Sequence, residues 1–519
     1  MPRFYIENFG CRATQADGAA LERQFLARGL DRAEAARDAE IVVLNTCTVT
    51  AAADKDARAS IRRLQRVNPD CKILVTGCYA QRAPEELAAL PGVTWVVGNS
   101  HKHQVAEIAT SSSEGFVSLA QLVGESRDPL FRAERERVGH SGNIYVGDIF
   151  AHTELLAAPV FEAANERTRP NLKVQDGCDN RCSFCVIPYV RGQSRSLPAE
   201  RVITEVQTLV EAGYREVVIS GINLGRWGRD FEVVSRWSSV VGQAASVNSP
   251  NAYETLSLTE RPTTNDHRLI SLIRAILDRT SLEKLRISSV EPMDWSDELI
   301  ELVASSERIA KHAHVPMQSG SDTVLRRMHR KYRPWHYREK ILKIRAAMAN
   351  AAIGADVMVG FPGETEAEFE ETRRMIEDLP FTYLHVFTYS ARPGTQAAAA
   401  PAQVPTVVAR ERNRILREIA TQKKGAFMRA LVGTAVEAIT LHSGGEDFTE
   451  ALTDNYLKLR ISGRHKANRW MDVNVAGVKG EMLLAQLMRE PIGERWRREH
   501  KSARETTKDI DQQPFTGLR

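Results

Sequence analysis

The chain has 519 residues, of which 43% are hydrophobic and 26% charged, and its formal net charge is +4. That length exceeds one ordinary domain, and no apolar run is long enough to span a membrane. The opening residues, MPRFYIENFG, lack the apolar segment of a secretory signal, so we expect a cytoplasmic protein. The mild positive charge permits a nucleic-acid partner without requiring one.

All seven cysteines lie within the first 185 residues. Cytosolic thiols stay reduced, so cysteines grouped in this way are more typical of metal sites than of disulfides. The distribution predicts a cofactor region followed by a cysteine-free remainder.

Residues 1–110 alternate short apolar runs with helical patterns, which predicts a small parallel α/β sheet domain. The predicted strands are Phe4 to Asn8, Ile41 to Asn45, Lys72 to Thr76 and Val93 to Val97. The predicted helices are Ala19 to Ala27, Ala53 to Asn68 and Pro84 to Leu90. Residues 111–163 are weakly patterned and are interpreted as a linker with a strand or two.

Three cysteines follow the first three predicted strands: Cys11, Cys47 and Cys78. The carboxyl ends of parallel strands share one edge of a sheet, so these thiols should converge there. A single buried cysteine is more often a packing residue, but repetition at one structural position favours a site. Cys71 precedes its strand and is interpreted as an ordinary thiol.

Residues 164–396 contain six strand and helix units, which predicts a partial (β/α)6 barrel of the TIM type with its chemistry on the loops after the strands. The predicted strands are Leu172 to Gln175, Glu216 to Ser220, Lys284 to Ser288, Ala313 to Met317, Ile353 to Val359 and Tyr383 to Phe387. Residues 229–266 break the rhythm and are interpreted as a surface insertion.

Cys178, Cys182 and Cys185 follow the first barrel strand with the spacing CxxxCxxC. Three thiolates can hold three irons of a four-iron cluster and leave the remaining iron open for a small ligand. The alternative is a structural zinc knuckle, but zinc favours four closed ligands and paired CxxC halves. An open iron at a barrel mouth suits S-adenosylmethionine (SAM), which chelates through an amine and a carboxylate.

The other motif loops supply candidate cofactor-binding residues. Phe184 either shields the cluster or packs, and Glu291 either accepts hydrogen bonds from ribose or is a solvated carboxylate. The strand and turn DVMVGFPGE allow close backbone approach to a ligand or form only a tight turn. From these loops and from GINLG and QSGSD, the candidates are Phe184, Gly221, Asn223, Glu291, Gln318, Asp356, Gly360 and Gly363.

The sequence after residue 396 predicts a connecting helix at residues 397–425, a small β-barrel at residues 426–490 and a disordered tail at residues 491–519. The stretch RRMHRKYRPWHYREK is rich in basic and aromatic residues, which suits RNA, although such a run is more often a solvated helix face. Its candidate RNA-binding residues are Arg330, Lys331 and Arg333.

Taken together, the motifs resemble the methylthiotransferase family of radical SAM enzymes. The matching motifs are GC at Gly10 and Cys11, NTCTVT, GCYAQ, CxxxCxxC, RGxSRS, SSxEP, PxQSGSD and VGFPGET, all in family order. Residues 430–487 resemble that family's RNA-binding TRAM module.

The resemblance implies two [4Fe–4S] clusters and SAM as cofactors. Cys178, Cys182 and Cys185 would bind the cluster that cleaves SAM, while Cys11, Cys47 and Cys78 would bind an auxiliary cluster that handles sulfur. One SAM would methylate the sulfur, and a second would yield a 5′-deoxyadenosyl radical that activates a substrate C–H bond. The expected partners are tRNA, an electron donor such as flavodoxin or ferredoxin, and a sulfur donor.

The motif combination most resembles the branch that converts N6-threonylcarbamoyladenosine at position 37 of tRNA to its 2-methylthio derivative. Two other branches remain as alternatives. One acts on isopentenyladenosine in tRNA, and the other acts on an aspartate of a ribosomal protein.

Overall fold

The computed structural model describes residues 1–111, 143–151, 155, 168–231 and 268–488. Within these ranges no helix is both long enough and apolar enough to cross a membrane. The strands are β1 Arg3–Asn8, β2 Asp31–Arg32, β3 Ile41–Thr46, β4 Lys72–Gly77, β5 Val93–Gly98, β6 Ile144–Tyr145, β7 Asn171–Asp176, β8 Arg195–Ser196, β9 Glu216–Gly221, β10 Lys284–Ile287, β11 His312–His314, β12 Ala352–Val359, β13 Tyr383–Thr388, β14 Ala435–Gly444, β15 Phe448–Thr453, β16 Lys458–Ser462, β17 Trp470–Lys479 and β18 Met482–Leu487.

The α-helices alternate with the strands up to β13, and a long helix then leads into the last five strands. They are α1 Arg12–Ala27, α2 Ala51–Val67, α3 Cys78–Arg82, α4 Pro84–Ala88, α5 Val105–Thr110, α6 Ile187–Arg191, α7 Ala199–Glu211, α8 Arg268–Arg279, α9 Asp297–Ser305, α10 Asp322–Arg327, α11 Pro334–Ala347, α12 Glu366–Asp378, α13 Gln396–Ala399 and α14 Thr406–Ala430.

The N-terminal sheet has six strands in the order β2-β1-β3-β4-β5-β6, and all of its pairings are parallel. Every residue of β3 is buried because helices cover both faces of the sheet, and each face has its own apolar core. The four predicted strands are confirmed. The edge strands β2 and β6 have two residues each, too few to produce a periodic pattern.

Helix α1 begins at Arg12, seven residues before its predicted start at Ala19. Its first turns carry the polar residues Thr14 and Asp17, which are fully buried. Asp17 is ion-paired with Lys173 of β7. Apolar periodicity could not predict this part of the helix, because its buried face carries Asp17 and packs against the charged Lys173.

The central domain is an arc of six parallel strands. Strands β7, β9 and β10 form one sheet, with β8 antiparallel at its edge, and β11, β12 and β13 form another. A bridge between Leu285 and Ile309 joins the two sheets. One large apolar core lies between this arc and its surrounding helices, so the predicted partial (β/α)6 barrel is confirmed.

The last five strands form a closed barrel in the order β14-β15-β16-β18-β17, which confirms the predicted C-terminal β-barrel. Asn455 donates to the carbonyl of Asn350, and Asn468 donates to the carbonyl of Gly213. Both acceptors precede central strands, β12 and β9 respectively. The C-terminal barrel therefore packs at the end of the central domain opposite the loop that carries Cys178, Cys182 and Cys185.

Several sequence interpretations lie outside the described residues. They are most of the linker, nearly all of the insertion at residues 229–266 and the tail from residue 489 onward.

Candidate active site

Cys11, Cys47 and Cys78 come together at the carboxyl edge of the N-terminal sheet. Cys47 follows β3 directly, Cys78 follows β4, and Cys11 is the N-cap of α1. Burial raises the pKa of Cys47 to about 12, and the neighbouring thiols of Cys78 and Cys11 contribute to the rise. Cys47 therefore has both other thiols as electrostatic neighbours, at one edge of the sheet.

Glycine allows the first two of these loops to touch. Gly10 has φ +96°, and a Cβ at this position would lie 2.4 Å from Cys47 Cβ and 2.8 Å from Cys47 Sγ. Cys71, by contrast, lies in the apolar core on one face of the sheet, which supports its interpretation as an ordinary thiol.

Cys178, Cys182 and Cys185 form the second group, in the loop after β7. The backbone N–H of Cys178 donates to Gly192 O, and that of Cys185 donates to Cys182 O. Burial and the nearby Cys182 raise the pKa of Cys185 to about 12. Gly177 has φ +70°, and a Cβ there would lie 1.8 Å from Gln193 O, so this loop depends on glycine.

Polar side chains from later loops reach the second group. Arg330 donates to Cys182 Sγ at 3.3 Å, and Asn223 donates to Cys178 Sγ at 3.7 Å. Arg330 also pairs with Glu291, whose pKa burial raises even beside that guanidinium. These donors would stabilise thiolates.

The chemistry of both groups fits the implied clusters. Each offers three sulfur ligands, and the chain has no further cysteine near either group. Three-cysteine ligation leaves one iron open, whereas a structural zinc site would lack its fourth ligand.

A buried charged cluster, which we call the junction cluster, lies between the N-terminal domain and the barrel. Asp17 accepts from Lys102, Lys173 and Arg191, and Asp176 accepts from Lys173 and Arg191. All five side chains are almost fully buried. The thiols of Cys78 and Cys11 contribute to raising the pKa of Arg191 above its ordinary value, against the opposing effect of burial. Arg191 is therefore close to the first cysteine group.

Sequence reasoning missed most of the junction cluster. Arg191 was part of the motif RGxSRS, whereas Asp17, Lys102 and Lys173 belonged to no predicted site. The available signal was a lysine inside the buried strand NLKVQD, since a buried lysine needs an acidic partner.

The inner face of the barrel below the second cysteine group is polar and open. Asp356 of β12 pairs in register with His385 of β13, and both side chains are accessible. The ligand atoms of His314, Asp356 and His385 lie within 4.8 Å of one another. The strand histidines thus face the lumen, where a substrate could enter.

Some predicted cofactor residues are brought to the second cysteine group and others are not. Asn223 and Glu291 adjoin it, and the main chain of Gln318 is bonded to β12 on both sides of Val357, through Asp356 O and Met358 N. A Cβ at Gly221 would lie 2.8 Å from Gln175 Oε1, the atom that accepts from the Asn223 N–H. Phe184 packs on Phe361 with ring centroids 6.4 Å apart, which supports its packing interpretation.

Other segments of the protein pack against the turn that carries Gly360 and Gly363. A Cβ at Gly360 would lie 2.5 Å from Ala409 Cβ of α14, and Gly363 N–H donates to Ala402 O. Packing against α14 explains Gly360, whereas a positive φ of +75° explains Gly363. Contact between this turn and a cofactor stays a prediction.

The structure corrects the interpretation of the basic stretch. Arg330 is only 8% exposed and is bonded to Glu291 and Cys182, so it is not available to RNA. Tyr332 and Tyr337 are core residues whose hydroxyls donate to barrel carbonyls. Lys331 and Trp335 are exposed, and Arg333 is half-buried beside Asp322. A basic, aromatic segment has the same composition whether it is solvated or buried. The sequence therefore could not show that Arg330, Tyr332 and Tyr337 are buried.

A partial β/α barrel with a CxxxCxxC loop after its first strand defines a radical SAM protein. Residues 172–376 match the Radical SAM superfamily, and residues 3–98 match the uncharacterized protein family UPF0004.

Full-length relatives refine this class. The chain is 35% identical over 463 residues to "Threonylcarbamoyladenosine tRNA methylthiotransferase MtaB" of Bacillus subtilis (strain 168), covering 88% of this chain and 90% of the relative. It is 32% identical to the protein of the same name from Aquifex aeolicus (strain VF5), covering 90% and 98%. It is also 32% identical to a "tRNA-2-methylthio-N(6)-dimethylallyladenosine synthase" of Roseobacter denitrificans (strain ATCC 33942 / OCh 114), covering 84% and 87%. The chain belongs to the radical SAM methylthiotransferase family.

Proposed function

We propose that the protein transfers a methylthio group to C2 of N6-threonylcarbamoyladenosine at position 37 of tRNA. The observation that carries this proposal is its similarity to relatives of that name over 88% and 90% of its length. The presence of two groups of three cysteines supports the proposal, because each group can hold a four-iron cluster with one open iron.

We assign one four-iron cluster to Cys178, Cys182 and Cys185, and an auxiliary cluster to Cys11, Cys47 and Cys78. When bound, the clusters and SAM would supply radical generation and a sulfur-carrying iron. Such chemistry is required because a hydrogen on an adenine ring carbon is too weakly acidic for removal by a side-chain base.

Charged and polar side chains of the protein lie beside both cysteine groups. Arg330 and Asn223 donate to the sulfurs of Cys182 and Cys178, so they would orient these ligands and stabilise them as thiolates. Arg191 would do the same beside the auxiliary group, and Asp17 and Asp176 hold its guanidinium in place.

The partners follow from this assignment. tRNA is the substrate, and we assign RNA contacts to the exposed Lys331 and to Arg333. The reaction also needs an electron donor, such as a flavodoxin or ferredoxin, and a source of sulfur. We place it in the cytoplasm, where tRNA is modified.

A second candidate substrate is isopentenyladenosine in tRNA, favoured by the relatives named dimethylallyladenosine synthases at 32% and 33% identity. Anaerobic reaction with each modified tRNA, followed by nucleoside mass spectrometry, separates the two. The proposal predicts methylthiolation of the threonylcarbamoyl substrate. Product only from the isopentenyl substrate, or from neither, would reject it in favour of the second candidate or of the ribosomal-protein branch.

A further inference from the structure

Arg12 follows the exposed Cys11 directly, and its side chain reaches the C-terminal barrel. Its guanidinium donates to the hydroxyl of Tyr456 at 3.2 Å, while Asn171 of β7 donates to its carbonyl. Arg12 therefore lies where the N-terminal domain, the barrel and the C-terminal barrel meet.

The surroundings of Arg12 carry excess positive charge. Arg169 and Arg286 lie over the ring of Tyr456 at 5.8 Å and 5.4 Å, and both pair with the single carboxylate of Glu216. Burial alone would raise the pKa of Tyr456, but the three arginines lower it below its ordinary value. Within the described ranges, no carboxylate forms an ion pair with Arg12.

The strands beside Arg12 carry one buried polar atom without a partner. Within the described ranges, Nδ1 of His312 has no hydrogen-bond partner, whereas Nε2 of His314 lies 3.4 Å from Asp356 Oδ1. His312 lies 4.9 Å from the ring of Tyr456, measured between ring centroids. His314, Asp356 and His385 have the composition of a metal site, but the adjacent arginines disfavour a cation and favour an anion.

The backbone of Tyr456 is also unusual. It has φ +70°, a left-handed conformation that bulky residues rarely adopt. This conformation presents the hydroxyl to Arg12, and strain of this kind is found where a side chain must be held for binding.

We propose that Arg12 determines specificity by binding the carboxylate of the threonylcarbamoyl group, while Tyr456 holds the Arg12 guanidinium. This inference rests on the proposed function. An unpaired guanidinium beside a sulfur site suits a substrate that brings its own carboxylate to the reacting adenine. An isopentenyl group has no charge and would leave Arg12 without a partner.

The test compares two anticodon stem-loop RNAs that differ only at position 37, one bearing the threonylcarbamoyl acid and the other its carboxamide. Their binding to reconstituted enzyme is measured anaerobically by fluorescence anisotropy, with iron content as a check on cofactor loading. We expect the wild type to prefer the acid by about ten- to a hundredfold, as for a hydrogen bond between charged groups. Arg12→Gln should abolish the preference, and Arg12→Lys should keep part of it.

The matched control is Arg28→Gln, at the exposed C-cap of the same helix, where the Arg28 side chain pairs with Glu107. It should leave the preference unchanged. The inference is overturned if the wild type shows no preference or if Arg12→Gln retains it. Equal weakening of acid and carboxamide would also overturn it, because that result indicates a backbone phosphate contact or a structural role.

The same RNAs separate this inference from the proposed function. If the wild type methylthiolates the acid but the preference does not depend on Arg12, only the inference fails. If the wild type does not methylthiolate the acid, the proposed function fails first.

Discussion

Gly10 determines whether the first cysteine group can assemble. The position has both a positive φ and the side chain of Cys47 where a Cβ would point. Alanine would therefore push the Cys11 loop away from Cys47.

We predict that Gly10→Ala lowers the iron content after reconstitution from about eight to about four per chain, since one four-iron cluster would be lost. SAM cleavage should persist because the other group is untouched. Gly29→Ala is the matched control: Gly29 has φ +77° but nothing within 4 Å of the added Cβ, so iron should be retained. Full iron content in Gly10→Ala would contradict the assignment.

For Arg330, the role predicted from the sequence differs most from the one that its contacts indicate. Its buried guanidinium joins Glu291 to the sulfur of Cys182. Removing it would leave a buried carboxylate without its partner.

Arg330→Gln should lower the rate of SAM cleavage by about ten- to a hundredfold, the usual effect of losing a residue that supports a metal ligand. tRNA affinity should change little. The neighbouring Lys331→Gln should give the opposite result: normal cleavage, but weaker tRNA binding with a salt slope smaller by about one. These are measured by 5′-deoxyadenosine release and by binding titrations at several salt concentrations. Loss of tRNA affinity without loss of cleavage in Arg330→Gln would contradict this role.

Asp17 is the anion on which the junction cluster depends. Burial would raise its pKa, but Lys102, Lys173 and Arg191 outweigh burial and hold it well below its ordinary value. A carboxyl with a depressed folded-state pKa stabilises the protein above its unfolded pKa of about 4. That contribution is lost as the pH falls through the folded value.

Asp17→Asn should destabilise the folded protein by about 3–5 kcal/mol at pH 7, because buried cations lose their partner. The difference from wild type should shrink under strongly acidic conditions, where Asp17 itself becomes protonated. Urea unfolding at several pH values measures both effects. A difference that grows as the pH falls would contradict the ion-pair account.

At the scale of elements, the long helix α14 is fixed against the turn after β12. Ala409 of α14 packs on Gly360, and Arg412 bonds to Glu364. This packing couples the connecting helix to the barrel.

Gly360→Ala should destabilise the protein by about 1–3 kcal/mol, since it combines overpacking with strain at φ +73°. Gly394→Ala is the control, with φ +84° and open space around the added Cβ, and it should cost about 1 kcal/mol or less. Thermal unfolding of both variants makes the comparison. Equal destabilisation would mean that the contact with Ala409 contributes nothing.

Apolar runs predicted the strands of both α/β domains because each lies in a buried parallel sheet. The same reasoning placed Cys47 and Cys78 correctly, at strand ends. Apolar periodicity did not predict the contacts of Asp17, Lys173 and Arg12. Their partners lie in distant segments and produce no periodic pattern in the sequence. Sequence reasoning also failed for Tyr332 and Tyr337, since a buried aromatic and an RNA-stacking aromatic look alike in sequence.

At the scale of the whole molecule, the C-terminal barrel lies at the starts of the central strands, opposite the loop that carries Cys178, Cys182 and Cys185. Arg286 of β10 donates to the carbonyls of Thr453 and Asp454, which attaches the module there. Tyr456 of the same module bonds to Arg12, so the module also adjoins the segment that carries Cys11.

The central claim is that both cysteine groups act in one reaction on tRNA. The direct measurement is anaerobic reaction of purified enzyme with tRNA bearing threonylcarbamoyladenosine, followed by mass spectrometry of nucleosides and of 5′-deoxyadenosine. We predict the methylthio product from wild type, no 5′-deoxyadenosine from Cys182→Ala, and 5′-deoxyadenosine without methylthio product from Cys47→Ala. Methylthio nucleoside formed by Cys47→Ala, or none formed by wild type, would contradict the account.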